Sequence, residues 1–269
     1  MMDETLRIAR EVACEAAAAA GKLAKEHFDR DKEVMAKGNQ GDLVTAIDHL
    51  AEKEILNRLQ ERFPEHRIRS EESGWSGAES DWLWLVDPLD GTNNYAIGLP
   101  AYGVSLTLIY RGEPRLGIIY DSHLENLYVA EQGKGAWCNG LPIRVKASSA
   151  AGRMTLGWIQ GHDVGKGGQA TSLKHHLDAH SRRVLSLWAP TLLWSMLARG
   201  DLDGIVLYNS EGEDLYSGLL LAKEAGAAVV DFDGRPFEGL NPEPYIVACP
   251  PDRLEGLLSI VRAGLGGRE

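Results

Sequence analysis

A chain of 269 residues, 44% hydrophobic and 25% charged, is long enough for a substantial core and has the composition of a soluble globular protein. Its net charge of −11 argues against nucleic acid polymers and anionic membrane surfaces as partners, since both are bound chiefly through Lys and Arg. Cys14, Cys138 and Cys249 are odd in number and far apart, which excludes a disulfide framework or thiolate zinc site and suits a reducing cytoplasm.

Residues 3–29 predict an Ala-rich helix with Leu6, Ala9, Ala13, Ala17 and Leu23 largely on one face. The N-terminus has no apolar core of a secretory signal, and the most apolar stretch, 185–198, is interrupted by Ser and Pro and too short for a bilayer. A cytoplasmic protein without a membrane partner is expected. After a Gly/Asn/Gln loop at 38–41, a second helix starts near Thr45, whose partner three positions on is Asp48, and stops before Pro64. Strands dominate from 66 to about 145: 102–110 and 115–120 flank a hairpin at 111–114, and 127–131 and 143–145 continue the pattern. Beyond 150, strands at 155–159, 184–187, 205–207, 227–231 and 245–248 alternate with helices near 171–180, 191–199, 214–225 and 251–263, an α/β pattern. The boundary between an α+β half, 1–145, and an α/β half, 146–269, falls near 146.

Several short patterns carry no chemistry. Gly161 to Gly167 has the wrong spacing for a phosphate loop and lacks its Ser or Thr. His175, His176 and His180 lack a Glu or Cys at zinc-site spacing. Asp231-Phe-Asp233 after an apolar run mimics a phosphatase nucleophile, but Arg235 and the little chain remaining favour a turn.

The informative stretch is 82–95. An apolar strand at 82–86 delivers Asp87 and Asp90, with Pro88 expected to end the ladder. Gly91 and Thr92 then offer N–H groups and a hydroxyl at the turn. Such a stretch is also an ordinary Asp/Pro/Gly turn, but a second acidic pair, Glu71-Glu72, precedes it by sixteen residues. Phosphoryl transfer needs cations to neutralise phosphate oxygens, an activated water and help for the leaving oxygen. Two metals about 3.5–4 Å apart supply all three when several carboxylates hold them. Glu71, Asp87 and Asp90 are three such groups. Asp214 is a fourth, although it also opens a helix and an N-cap role is the plain alternative. Oxygen-only ligation favours Mg²⁺ or Mn²⁺.

Four segments resemble the inositol monophosphatase family of Mg²⁺-dependent, lithium-sensitive sugar-phosphate phosphatases: Gly41-Asp-Leu-Val-Thr-Ala-Ile-Asp48, Glu71-Glu-Ser-Gly74, Val86-Asp-Pro-Leu-Asp-Gly-Thr-Asn-Asn-Tyr95, and Asp214 with Glu224-Ala-Gly226. Gly133 to Gly140 matches a further family loop. The resemblance implies a layered αβαβα sugar-phosphatase fold, a homodimer, a small-molecule phosphate ester as substrate and Mg²⁺ as cofactor. It places Glu71, Asp87, the Leu89 carbonyl and Thr92 around one metal and Asp87, Asp90 and Asp214 around a second. Thr92, hydrogen-bonded to Asp48, would activate the water; Gly91 and Thr92 N–H groups would bind phosphate; Lys37 would help close the site. The half 1–145 would hold metal and phosphate, and 146–269 the substrate side. That second half departs from the family. The usual Trp-Asp-x-Ala-Ala/Gly is here Glu213-Asp214-Leu215-Tyr216-Ser217, the pocket-lining Gly-Ser/Thr-Ala falls on Trp188-Ala189-Pro190, and the acid that binds inositol hydroxyls falls on Leu207. The alternatives are a fructose-1,6-bisphosphatase, a nucleotide 3'-phosphatase, or a catalytically weakened member with a binding role.

Overall fold

The structure, a computed structural model, describes residues 2–30, 34–37, 42–146, 152–161, 164, 168–210, 212–241 and 244–266. The 38–41 loop and most of 161–167 lie outside them.

Two helices begin the first layers. Helix α1 (Met2–His27) buries a stripe of small residues, Ala9, Ala13, Ala16, Ala17, Ala20 and Ala24, so its axis lies close to its neighbours. The short pair β1 (Val34–Lys37) and β2 (Asp42–Thr45) leads into α2 (Ala46–Arg62). Its start has the capping box that Thr45 and Asp48 predict, each side chain serving the other's end of the first turn.

An eight-stranded sheet follows: β3 (Arg67–Ser70), β4 (Gly74–Ser76), β5 (Trp82–Asp90), then, after helix α3 (Thr92–Ile97), β6 (Gly103–Tyr110), β7 (Glu113–Asp121), β8 (Asn126–Glu131), β9 (Gly135–Cys138) and β10 (Leu141–Pro142). Its order is β10-β9-β8-β7-β6-β5-β3-β4, antiparallel except where β3 runs parallel to β5. The β6–β7 hairpin turns on Arg111 and Gly112, both at positive φ, the geometry that matches strand twist. Residues 143–145 form no strand; β10 ends at Pro142. Pro88 does not end its strand either. The β5–β6 pairing runs from Trp82 to Asp87, slips, and resumes at Asp90, so Pro88 sits in a bulge where no N–H is needed.

The remaining chain builds β11 (Thr155–Gln160), α4 (Gln169–His180), β12 (Arg183–Leu185), α5 (Pro190–Ala198), β13 (Gly204–Tyr208), α6 (Leu215–Glu224), β14 (Ala228–Asp231), β15 (Tyr245–Cys249) and α7 (Leu254–Gly264). The five-stranded sheet has order β12-β11-β13-β15-β14. Asp231 closes a turn, accepting from Arg235 N–H at 2.8 Å, as the Asp/Gly composition predicts. Among the described residues no helix is long and apolar enough to cross a membrane.

The cores stack these pieces into five layers. Residues of α1 and α2 pack with Trp84, Val86, Leu106 and Ile118 of one sheet face. Leu85 and Ile109 on the other face share a core with Leu193, Leu197, Leu215 and Leu219 of α5 and α6 and with Ile205 and Leu207 of β13. The outer face of the second sheet is covered by Leu173, Leu177, Leu257 and Val261 of α4 and α7. The sequence is therefore α, β, α, β, α, and β5 and β6 are buried on both faces. Close contact between α5 and α6 needs Gly218, where a Cβ would lie 2.2 Å from the Trp194 ring.

One buried histidine against the start of β5 makes the fold pH-sensitive. His66 stacks on Phe63 at 4.7 Å and Trp82 at 5.3 Å, and its Nδ1 accepts from Trp84 Nε1 at 3.1 Å. Burial pushes its pKa down to about 4, against about 6.5 in an unfolded chain. The stability gained by keeping the ring neutral is present above pH 6.5 and lost as the pH falls toward 4. Over that window the wild type is expected to lose about 1–2 kcal/mol relative to His66→Asn, which keeps an acceptor but does not titrate. Urea midpoints of both proteins at pH 7 and pH 4.5 check this; a gap that does not change with pH counts against it.

Candidate active site

The bulge in β5 aims two carboxylates from one strand end. Asp87 and Asp90 are each 5% exposed, and Asp87 Oδ1 accepts from Leu89 N–H at 3.0 Å. Glu71 arrives from the adjacent parallel strand: its N–H continues the β3–β5 ladder onto Val86 O at 3.0 Å. The turn that carries it is held by Glu52 of α2, which accepts from Ser70 Oγ at 2.5 Å, Ser73 N–H at 2.9 Å and Ser73 Oγ at 3.1 Å. Asp214 comes from the other half at the start of α6. It makes no side-chain capping bond, so the plain N-cap role is not the one it fills.

These four carboxylates feel one another. The Asp87 pKa is raised well above the carboxylate range, first by burial, then by the charges of Glu71, Asp90 and Asp214. Asp90 is raised by burial and then by Asp214, against the lowering effect of hydrogen bonds from Thr191. Asp214 is pushed up to about 7 by burial, with Glu71 adding to the effect. None of these leading influences is a cationic side chain. Glu71 and Asp87 are joined by a hydrogen bond, and among the described residues no three His, Cys, Asp or Glu side chains converge on one point. The donor set nonetheless fits a hard divalent cation. Its members are oxygen ligands only, two of them buried and two half-buried, and a cation is the partner that would offset their mutual repulsion.

Next to them lies a hydroxyl held by a carboxylate. Thr92 Oγ1 is 2.8 Å from Asp48 Oδ1 and 2.9 Å from Leu89 O, and has one proton to give. Asp48 is 1% exposed; its Oδ2 accepts from Thr45 N–H at 2.8 Å and Thr45 Oγ1 at 2.6 Å. Burial raises its pKa, and the hydrogen bonds from Thr45 and Thr92 oppose the rise. Gly91 connects the two groups at φ 91°, and a Cβ there would stand 2.9 Å from Ala101 O, 3.0 Å from Ala189 Cβ and 3.1 Å from Trp188 O. Only glycine fits that backbone and that space.

The structure thus brings together Asp48, Glu71, Asp87, Leu89, Asp90, Gly91, Thr92 and Asp214, and sets Trp188 and Ala189 against Gly91. Trp188 is 59% exposed, Ala189 is fully buried and Pro190 opens α5. Leu207 does not line a pocket. It is 1% exposed, paired with Ile159 and Ile246 in the second sheet, because β13 is a central strand covered on both faces. Lys37 ends β1, and its side chain lies outside the described residues. The zinc-like histidines sit on α4, with His176 and His180 stacked at 3.9 Å. A cavity of about 410 Å³ between α6 and 237–239, lined by Tyr216, Lys223 and Phe237 among others, shares no residue with the carboxylates. Two supporting residues escape sequence reasoning. Thr191 donates from its N–H to Asp90 Oδ2 at 2.8 Å and from its hydroxyl to the same oxygen. Glu52 is one helical turn beyond Asp48, and that i, i+4 spacing of acids was the available signal.

Comparison with known proteins points the same way. The family model described as "Inositol monophosphatase family" matches residues 6–264. Human inositol monophosphatase 2 is 32% identical over 241 residues, 85% of this chain and 82% of its own. The fructose-1,6-bisphosphatase/inositol-1-monophosphatase of Thermotoga maritima is 31% identical over 219 residues, covering 80% and 81%. Among solved structures, the extragenic suppressor protein suhB from Bartonella henselae superposes with a TM-score of 0.88 at 27% identity, over 96% of this chain and 99% of that one. The inositol monophosphatase from Anabaena gives 0.82 at 28%, over 96% and 97%.

Proposed function

This chain belongs to the inositol monophosphatase family, a family of phosphoric monoester hydrolases, and from that premise we propose a Mg²⁺-dependent enzyme acting on a small sugar or polyol phosphate. The observation that supports the reading is that Asp87 and Asp90 are buried and lie close enough to Glu71 and Asp214 for those charges to raise their pKa values. Glu71, Asp87, Asp90, Asp214 and the Leu89 carbonyl would hold the metal. When bound, Mg²⁺ supplies charge neutralisation for phosphate oxygens and lowers the pKa of water.

The chain's own groups do the rest. Thr92, giving its proton to Asp48, presents oxygen lone pairs that accept from a water and fix its direction of attack. The backbone N–H groups of Gly91 and Thr92, at the start of α3, would bind a phosphate oxygen. Thr191 holds one oxygen of the Asp90 carboxylate, which leaves the other as the one that would bind metal. The reading assigns metal and phosphate to the half 1–145 and the substrate side to 146–269, a cytoplasmic location on the strength of three unpaired cysteines, and a homodimer by family likeness. Hydrolysis of p-nitrophenyl phosphate with Mg²⁺ or with a chelator tests it. Activity that persists without divalent metal sinks the metal assignment.

Substrate choice turns on Trp188. Trp188 is 59% exposed and its backbone carbonyl lies against Gly91, which places the residue near the site and supports its indole as a face for a ring. Inositol 1-phosphate is therefore not expected to lead a panel with fructose, glycerol and adenosine phosphates. Trp188→Ala is expected to lower kcat/KM for adenosine and aryl phosphates about three- to tenfold, the size of a lost ring contact, and to leave glycerol phosphate nearly unchanged. An equal loss on all substrates, or inositol 1-phosphate well ahead in the panel, contradicts the stacking role.

A further inference from the structure

Asp214 reaches the site from a different half of the molecule than Glu71, Asp87 and Asp90. In the segment between β13 and α6, Asn209 takes a positive φ of 45° and donates its N–H to Pro244 O at 2.7 Å, while the Asp214 side chain makes no capping bond. The residue just before it is anchored firmly. Glu213 Oε1 lies 2.5 Å from Arg69 Nε, with the Glu213 side chain only 11% exposed. Arg69 stands two residues before Glu71 on β3, directly across from Trp75 on β4, and its guanidinium lies 5.6 Å from the Trp75 ring centroid. Arg67 covers the same ring at 4.0 Å. Trp75, Arg69 and Glu213 therefore form a continuous contact from the strand that delivers Glu71 to the residue that precedes Asp214. Glu213 occupies the position where the family usually has Trp.

We infer that the Arg69–Glu213 pair is a clasp between the two halves that positions Asp214 toward the other carboxylates, in place of the missing aromatic anchor. The inference rests on the reading of Asp214 as a metal ligand. Most exposed ion pairs contribute little. This one differs because one partner is nearly buried, the other is flanked by a ring, and the two lie on separate halves, so breaking it frees a hinge rather than a surface side chain. Arg69 and Glu213 are positioning residues and touch neither substrate nor metal.

A clasp and a simple field effect predict opposite signs. If Arg69 acted only by its charge, removing it would tighten Mg²⁺ binding, and removing Glu213 would weaken it. If the pair positions Asp214, both losses weaken binding and the double loss is no worse than either single, since both break one contact. Mg²⁺ affinity is measured by calorimetric titration of metal-free protein, alongside kcat at saturating Mg²⁺. Arg69→Gln and Glu213→Gln are each expected to weaken Mg²⁺ about five- to tenfold, with kcat at saturation within about threefold, and Arg69→Lys to recover part of the loss. Opposite signs, additive losses or unchanged affinity overturn the clasp. Hydrogen exchange in the metal-free proteins judges it independently of any metal. The amides of 213–217 are expected to exchange about tenfold faster in Arg69→Gln than in wild type, and equal rates overturn the clasp. A wild type that binds no Mg²⁺ overturns the ligand reading of Asp214 instead.

Discussion

Asp90→Asn is expected to leave a folded protein that is at least as stable as the wild type without metal, no longer stabilised by Mg²⁺, and depressed in kcat by more than about a hundredfold. The reason lies in how Asp90 is held. Its Oδ2 accepts both the N–H and the hydroxyl of Thr191, so an Asn must turn its oxygen that way and present its NH₂ to the site, where a cation would meet donors in place of an acceptor. Losing a mere outer partner of a metal ligand costs about 10–100-fold in affinity or activity, and losing the ligand itself costs more. Stability moves the other way because one of four mutually repelling groups is neutralised. Carboxylates with raised folded pKa values favour the native state while protonated and oppose it once ionised. The contribution of these carboxylates to the stability of the metal-free wild type should therefore fall as pH climbs from about 4, the unfolded value, to about 7 for Asp214. Asp90→Asn should make the pH profile less steep in that direction than the wild type's. Thermal unfolding with and without Mg²⁺ across this range, beside kcat, makes the comparison. Near-wild-type turnover in the variant would remove Asp90 from the metal site.

Thr92→Val is expected to cost about 10²–10⁴-fold in kcat, the range for a positioned proton-transfer group, while most of the Mg²⁺-induced stabilisation survives. Val keeps the shape, but Asp48 Oδ1 and Leu89 O lose their shared donor, so about 1–2 kcal/mol of stability should go as well. Asp48→Asn separates orientation from the hydroxyl itself. Asn can satisfy Thr45 or Thr92 but not both with the same acceptors, and kcat should drop less than in Thr92→Val. Single-turnover kinetics at saturating Mg²⁺ give the answer. A Thr92→Val enzyme with turnover within a few fold of wild type would dismiss the hydroxyl as the water's guide.

Much of this protein is set by local sequence. Thr45 with Asp48 specifies the start of α2 because both ends of a capping box lie within one turn. The apolar run before Asp87, the Arg111-Gly112 turn and the β/α alternation after residue 150 are likewise short-range patterns, and the chain forms them. The candidate carboxylates could be picked out in the sequence too, although an Asp/Pro/Gly turn and a helix N-cap are ordinary reasons for such acids.

What tertiary structure alone decided is how distant residues meet. Pro88 would end an edge strand, but between β3 and β6 it becomes a bulge, and Asp87 and Asp90 at its two ends lie close enough for the charge of Asp90 to raise the Asp87 pKa. Leu207 looked like a pocket wall by counting back from Asp214, yet β13 lies between β11 and β15, so its side chain is core. Thr191 binds Asp90 across 101 residues, and Arg69 meets Glu213 from the other sheet. No periodicity within a segment encodes such pairs, because they depend on which faces of two sheets are packed together. The sequence by itself determined which residues carry charge and most of the turns and elements; the stacking of five layers decided which of those charges lie beside one another and which of them, Asp87 and Asp90 among them, are buried.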